Sequence, residues 1–549
     1  MNPALALLAC LAAGVPGQTD QPRLWAAPAT TRIMPKTPPS DWTVELSAAR
    51  NEWEAFQVVV TAGDEALEDV QVVRIPPPRA VTVPPPPGVR LPDATLYREQ
   101  FIQVGKPSPR SDAQPGWYPD ALIPLDPEWT GYPEVPGARY QGQGFAVPAG
   151  QNQPVWVDVH VPHGVAPGVK ESWAIFAKGK LPGGRRWTGQ VPFRLTVRPF
   201  TLPDRPACRS SFGNIGIARL DAIKDAKERD ALRERYIEAL IAHRLMPTSF
   251  PGAMPSARPD GSIDITESHP VLKHYIEDLH INCFCVEAFP YAYPLTQNRE
   301  LTKTYLRNLY AYLSDNGWQD MHYIYVLDEP NDAAAYEEVR QRAKLIHEAN
   351  PNLKVMCTEQ TLTSDPAWGD LLGAVDIWCP LWPLHDPATG MERLAAGNEL
   401  WSYTALCQGG NPTPFWELDF PPLNYRIPLW QNWRSHMTGL LYWSTVDWGE
   451  GQDPWRNPDT YNGYNGEGSL FYPGEEAGIA GPVASIRLKM LREGMEDYDY
   501  LKMLEDLRGR DYVDRFVSQV CRDWFDWEKD PAVLYKVRDQ IADEIVKAT

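Results

Sequence analysis

The chain has 549 residues, more than one hydrophobic core usually supports, so two or three domains are expected. Hydrophobic residues make up 43% and charged residues 22%, the balance of a globular protein rather than a disordered one. The formal net charge of -19 argues against nucleic acid and anionic membrane surfaces as partners, because both are met by basic patches.

Residues 5–13 are apolar and small and run into Ala12-Ala13-Gly14, which suggests a signal peptide over residues 1–18. No Lys or Arg precedes that run, so an apolar N-terminus with no role in export stands as the alternative. Leu7-Leu8-Ala9-Cys10 lies too near the start for a lipoprotein box, so lipid anchoring at Cys10 is not expected. No later apolar run is long enough for a transmembrane span. A secreted or periplasmic protein is the expectation.

Residues 19–203 read as an N-terminal all-β sandwich. Segments 54–60, 71–75, 153–161 and 191–197 favour strands, and the proline runs 76–78 and 84–87 mark edges or loops. Near Cys208 the pattern changes. Apolar β segments at 209–214, 246–250, 282–286, 323–327, 354–358, 375–379, 400–404 and 439–443 alternate with helical stretches, including 225–243, 270–279, 300–314 and 333–349. Eight such units predict a (β/α)8 TIM-type barrel over residues 204–505, closed by a helix over 485–504. A loop over 444–474 is rich in Trp, Gly and Pro, and helices over 511–527 and 531–547 form a C-terminal appendage, residues 506–549.

Tyr323 to Leu327 form an apolar run that ends in Asp328-Glu329-Pro330. A buried strand reads so, and Pro330 stops it, since proline donates nothing to a ladder. Asn331 or Asp332 then caps the next helix. The two acids therefore sit at the carboxyl end of a barrel strand, where such folds keep their chemistry. Adjacent residues on a regular strand face opposite ways, so the pair shares a pocket only if the backbone leaves β geometry there. Parity puts Tyr323, Tyr325, Leu327 and Glu329 on one face, aiming Glu329 at the barrel mouth and displacing Asp328 to one side. A helix-capping role for Asp328, with Glu329 a solvated acid, is the bland alternative.

The eight cysteines contain no C-x-x-C pair and read as buried free thiols. The ten histidines give neither H-E-x-x-H nor H-x-H. His160-x-x-His163 comes nearest and lacks a third ligand. Neither G-x-S-x-G nor a P-loop is present, and no cofactor or metal is expected.

Several stretches together resemble one family: Ala49-Arg50-Asn51-Glu52 into Phe56-Gln57-Val58, Asn152 through Asp158, Asp328-Glu329-Pro330, Leu440 through Trp443, Ser485-Ile486-Arg487, and Arg492 through Tyr498. The chain is similar, over nearly all its length, to proteins with a glycoside hydrolase family 123 type catalytic domain. That resemblance implies a β-sandwich before a (β/α)8 barrel. It also implies a β-N-acetylgalactosaminidase-like activity, in which a neighbouring Asp-Glu pair works with the substrate's acetamido group. On this reading Glu329 is general acid and base, and Asp328 orients the acetamido N–H. The substrate is a glycan or glycoconjugate carrying terminal β-linked N-acetylhexosamine. A barrel glycosidase for a sugar without the acetamido group, or a non-catalytic carbohydrate-binding surface protein, are the alternatives.

Further substrate-binding candidates lie at or past strand ends: Asn214, Glu287, Glu359, Trp378 and Tyr403. Trp443, Asp447, Trp448 and Trp455 are candidates for a stacking wall against the sugar. For each, core packing or loop anchoring is an equal alternative. Arg50 and Glu52 are expected to pair or hydrogen-bond within the sandwich, while Arg487, Arg492 and Glu496 are expected to brace the last barrel helix against the barrel.

Overall fold

The computed structural model describes residues 21–75, 92–213, 220, 223–406, 413–448 and 451–549. The expected signal segment, both proline runs, Cys10, Asn214 and Cys407 lie outside the described residues. Ten strands build the N-terminal part: β1 (Arg23–Pro28), β2 (Val44–Arg50), β3 (Glu52–Thr61), β4 (Leu67–Ile75), β5 (Asp93–Val104), β6 (Gly116–Pro124), β7 (Phe145–Val147), β8 (Asn152–Val161), β9 (Lys170–Lys180) and β10 (Arg186–Thr201). They form two five-stranded sheets, β1-β3-β8-β5-β6 and β2-β10-β9-β4-β7. Phe56, Val58 and Val60 of β3 alternate into the core between the sheets, against Ile175, Phe193 and Leu195. Ala55 and Trp156, on the other face of the first sheet, pack into the core of the next domain. With both faces covered, β3 is buried without interruption from Glu54 to Val60.

Seven parallel strands follow: β11 (Arg209–Phe212), β12 (Phe284–Cys285), β13 (His322–Leu327), β14 (Val355–Cys357), β15 (Ile377–Trp378), β16 (Glu399–Thr404) and β17 (Gly439–Tyr442). Their order, β11-β17-β16-β15-β14-β13-β12, makes a nearly closed barrel. The expected eighth strand, at 246–250, is reduced to one parallel bridge between Phe212 and Pro247. Pro247 has no N–H to give a ladder, and Pro251 follows closely. The helices are α1 (Ala226–Ala242), α2 (Ser268–Lys273), α3 (Arg299–Asp315), α4 (Ala333–Ala349), α5 (Pro387–Ala395), α6 (Ile427–Arg434), α7 (Ile486–Arg508), α8 (Arg510–Val517) and α9 (Pro531–Ala548). Between β14 and β15 only a short 3-10 turn, Pro366–Trp368, stands where a crossover helix was expected. Gly369 and Gly373, both at positive φ, flank that loop. Among the described residues the barrel thus has seven strands and no helix between β14 and β15, so the expectation of a barrel holds while the full (β/α)8 count is not met. The helix expected over 511–527 stops at Val517, and the rest is a loop held by a bridge between Cys521 and Trp527. No described helix is long and apolar enough to cross a membrane. Cys208, Cys283, Cys285, Cys357, Cys379 and Cys521 are free thiols, all but Cys285 buried.

α7 is buried nearly throughout although it carries Arg487, Lys489, Arg492, Glu493, Glu496, Asp497 and Asp499. Arg487 donates to Asp120 of β6 (2.9 Å), and Arg492 and Lys489 donate to Asp158 of β8 (2.5 and 2.8 Å). Glu496 accepts the Trp53 N–H at 3.1 Å. Glu52 bonds Tyr500 of α7 at 2.6 Å and pairs with Arg538 of α9. Arg487, Arg492 and Glu496 therefore brace the helix mainly against the sandwich, which corrects the expectation of a barrel contact, although Arg487 also reaches the Gly466 carbonyl; Glu52 accepts the Ala49 N–H within the sandwich as expected and also reaches out to α7 and α9. Burial alone would push the Asp158 carboxyl up, but Arg492 and Lys489 hold it well below the usual carboxylate range. Removing one partner of such a pair leaves the others as uncompensated buried charge. Asp158→Ala should cost on the order of 3–5 kcal/mol, seen as a lowered thermal midpoint. A midpoint unchanged within a degree would contradict the role given to this pair.

Candidate active site

The residues above the C-terminal ends of β11, β13, β14, β16 and β17 enclose a cleft of about 740 Å³, with Asp328 and Glu329 both on its wall. Strand β13 brings them there by breaking its own geometry. Its pairing with β14 shifts register between Tyr325 and Leu327, a bulge that resets side-chain parity. Glu329 then adopts φ 41°, a left-handed backbone seldom taken by a non-glycine residue. Tyr325 and Asp328 would face opposite ways on a regular strand, yet the Tyr325 hydroxyl donates to Asp328 Oδ1 at 2.5 Å.

Thr358, just past β14, holds this conformation. Its Oγ1 accepts the Glu329 N–H at 3.0 Å and donates to Asp328 Oδ1 at 2.9 Å. Asp328 Oδ1 thus meets two hydroxyls, while Oδ2 accepts nothing from the described residues. Burial, then the neighbouring Asp328, pushes the Tyr325 phenol far above its ordinary range, so it remains a donor. Glu329 accepts a hydrogen bond at Oε1 from Tyr403, and its Oε2 has no protein donor among the described residues. Both acids are exposed to the cleft. Asp332, not Asp328, caps α4, accepting the Ala335 N–H at 2.8 Å.

Trp443 forms the opposite wall. Its indole donates to buried Glu467 Oε1 at 2.6 Å, and Tyr461 meets its ring edge-on at 5.5 Å. Gly468 permits this packing: a Cβ there would come within 2.5 Å of the Trp443 ring, and its φ is 67°. Tyr461 and Asn462 also line the cleft, at the tip of a hairpin of β18 (Asp459–Tyr461) and β19 (Tyr464–Asn465).

Among the other sequence candidates, Tyr403 lines the cleft and Glu359 stands just behind it. Glu359 is 3% exposed and accepts the Tyr336 hydroxyl at 3.0 Å. Burial pushes its carboxyl up to about 7 against hydrogen bonds from Tyr336 and the Gln360 N–H, and the charge of Glu329 adds to the rise. Trp378 is buried beneath Arg393 and bonds Asn398, away from the cleft lining. Trp448 is buried edge-on to Tyr236. Trp455 stacks on Tyr140 and bonds the Pro473 carbonyl, where sandwich and barrel meet. Asp447 is half-buried and bonds Gly468 through its amide, and Glu287 is exposed past β12 with its carbonyl accepting Tyr305. Neither carboxylate is part of the cleft wall. Tyr325, Thr358, Tyr461 and Asn462 were missed from sequence. The inward parity shared by Tyr323 and Tyr325 marks the first, and the Asn462-Gly463 turn signal marks the hairpin. Among the described residues no group of acids, His and Cys is arranged to hold a metal ion.

The family profile described as "Glycoside hydrolase 123, catalytic domain" matches residues 280–504. This segment belongs to glycoside hydrolase family 123. The family 123 segment contains Asp328, Glu329, Thr358, Tyr403 and Trp443. A family 123 glycoside hydrolase from Clostridium perfringens, described in a study of glycolipid glycan hydrolysis, shares the fold across 96% of this chain and 98% of its own, with a TM-score of 0.64 and 14% identity. β-Glucuronidase 2 of Bacteroides uniformis, at TM-score 0.28, covers 88% of this chain and 50% of its own at 10% identity, too remote to bear on the site. No curated protein matches the chain.

Thr358→Val keeps the shape but removes the hydrogen bonds to Asp328, the Glu329 N–H and the Tyr325 hydroxyl. Turnover of an aryl glycoside should fall on the order of 10²-fold, with Thr358→Ser close to wild type. Equal rates for Val and Ser would remove Thr358 from the account. The folded Glu359 carboxyl, at about 7, lies above its ordinary 4.5, so the native state binds the extra proton between those values. The contribution of Glu359 to stability is then fully present below about pH 4.5, declines toward pH 7 and is flat above it. Glu359→Gln should abolish that decline, worth roughly 3 kcal/mol, in thermal unfolding at pH 5 and pH 8. A variant that loses the same stability as wild type across that interval would contradict the assignment.

Proposed function

We propose that the chain is a retaining glycosidase acting on terminal β-linked N-acetylhexosamine, with N-acetylgalactosamine the favoured sugar, by substrate-assisted catalysis. The observation that carries this reading is the break at Glu329, which turns two sequence-adjacent carboxyls into one cleft with different partners. Ordinary retaining pairs sit about 5–5.5 Å apart on separate elements, one being the nucleophile. Neighbouring acids on one strand end suit a division in which the substrate supplies the nucleophile itself. The match to family 123 and the glycolipid glycan hydrolysed by the C. perfringens relative favour a glycoconjugate substrate.

Glu329 gives its proton from Oε2 to the glycosidic oxygen as the 2-acetamido oxygen attacks the anomeric carbon and the aglycone leaves. Asp328 accepts the acetamido N–H at Oδ2 and balances the positive charge that develops on the oxazolinium ring, while Tyr325 and Thr358 hold Oδ1. Glu329 then takes a proton from water, which attacks the same carbon and reopens the ring. Two inversions give net retention. Trp443 supplies a flat face for the sugar. Export through residues 1–18 belongs to the same proposal.

Aryl β-glycosides with and without a 2-acetamido group test it. Turnover should be confined to acetamido sugars and fall about 10²–10⁴-fold in Asp328→Asn and in Glu329→Gln. Equal turnover of plain galactosides would favour a nucleophile outside the pair. Glycan binding without any turnover would favour a non-catalytic carbohydrate-binding protein.

A further inference from the structure

Behind the Trp443 wall lies a pair of acids that the proposed chemistry does not use. Glu417 and Glu467 are 1% and 2% exposed, and their carboxyls hydrogen-bond each other. Both oxygens of Glu467 also take donors from β17 and its end. Oε1 accepts the Trp443 indole N–H at 2.6 Å, and Oε2 accepts the Tyr442 hydroxyl at 3.3 Å. The charge of Arg487 favours ionisation of both acids, but its donors go to Asp120 and the Gly466 carbonyl, and among the described residues no cation pairs with either.

Two carboxylates hold no proton for a bond between them, so one of the pair is a carboxylic acid. Like charges in contact inside a protein would cost more than keeping that proton. The partners decide which acid keeps it. Glu467 gathers the indole and phenol donors, which favour its ionised form, whereas Glu417 Oε2 meets no donor among the described residues. Burial, then the charge of Glu467, pushes the Glu417 carboxyl well above the usual carboxylate range. A carboxylic acid kept neutral in this way is a hydrogen-bond donor. Glu417 is itself anchored through its backbone. Its carbonyl accepts the Tyr425 hydroxyl at 2.5 Å, and the following N–H, of Leu418, reaches the Asn465 carbonyl at 2.9 Å.

We propose that Glu417 is a positioning residue, which stays protonated and donates its O–H to Glu467, so that the Glu467 carboxylate holds the Trp443 indole in place at the cleft. Its bearing on the reaction rests on the reading of Trp443 as the flat face for the sugar. Without that O–H, Glu467 would take up a proton in its buried setting and become a weaker acceptor for the indole. A loosened wall binds the sugar less well in ground and transition state alike, which raises KM and leaves kcat.

The full chain, labelled with 15N at its tryptophan indoles, is compared with Glu417→Leu and Glu417→Gln. The indole resonance that disappears in Trp443→Phe marks the wall. It should move upfield in Glu417→Leu and stay in Glu417→Gln, whose amide N–H replaces the lost O–H. KM for an aryl N-acetylhexosaminide should rise about tenfold in Glu417→Leu with kcat within about threefold, and Glu417→Gln should match wild type. Should Glu417→Leu not fold, Glu417→Asp, which draws the same carboxyl back by one methylene, is read in its place. An unmoved resonance, a fall in kcat at unchanged KM, or equal damage from Leu and Gln would each overturn the assignment. If none of these chains cleaves a glycoside while the resonance still moves in Glu417→Leu alone, the proposed function fails and the hold of Glu417 on Trp443 stands.

Discussion

The ionic contacts of α7 are the constraint on which the rest of the structure depends. A helix that buries seven charged side chains has few places to go, because each unpaired charge would carry a desolvation penalty of several kcal/mol. Asp120, Asp158 and the Trp53 N–H, all on one sheet of the sandwich, meet those charges from one side. Arg426 of the α6 region pairs with Asp497 at 2.6 Å from the barrel side, and Arg538 of α9 reaches the same Asp497. Apolar packing would tolerate sliding. Paired charges do not, so the sandwich, barrel and last helix are held in one register.

That register reaches the cleft. Arg487, fixed by Asp120, also donates to the Gly466 carbonyl at 2.8 Å, and the next residue, Glu467, fixes the Trp443 indole. Ser108 of the sandwich accepts the Asn465 N–H at 2.9 Å and shares Asp419 with that hairpin, whose tip carries Tyr461 and Asn462. One wall of the site is thus set by the sandwich and the other by the break in β13. The N-terminal domain is part of the catalytic scaffold rather than an attached module.

Much of this was legible in the sequence. Strong periodicity located α3 and α4 within one residue at each end, and Asp328-Glu329 stood out as two acids after an apolar strand. Four features were not legible, each for a physical reason. The bulge and positive φ at Glu329 arise from the Thr358 contact, and a contact between strands leaves no local trace. The prolines around residue 247 weakened a strand that the repeat pattern demanded. Tryptophan is equally at home in a core and on a sugar platform, so Trp378, Trp448 and Trp455 looked like Trp443 until their neighbours were known. Charges on α7 were expected to brace it against the barrel, because a sequence does not reveal that the sandwich covers them.

The proposed chemistry rests on one division of labour, in which Glu329 moves the proton, Asp328 steers the acetamido group, and the substrate supplies the nucleophile. Replacing the N-acetyl group of an aryl glycoside by mono-, di- and trifluoroacetyl groups changes that nucleophile and little else. Each fluorine draws electron density from the acetamido oxygen. If that oxygen attacks the anomeric carbon, kcat falls steadily across the series, by orders of magnitude at the trifluoro member. A rate constant that stays level across the four substrates would place the nucleophile on the protein and contradict the account.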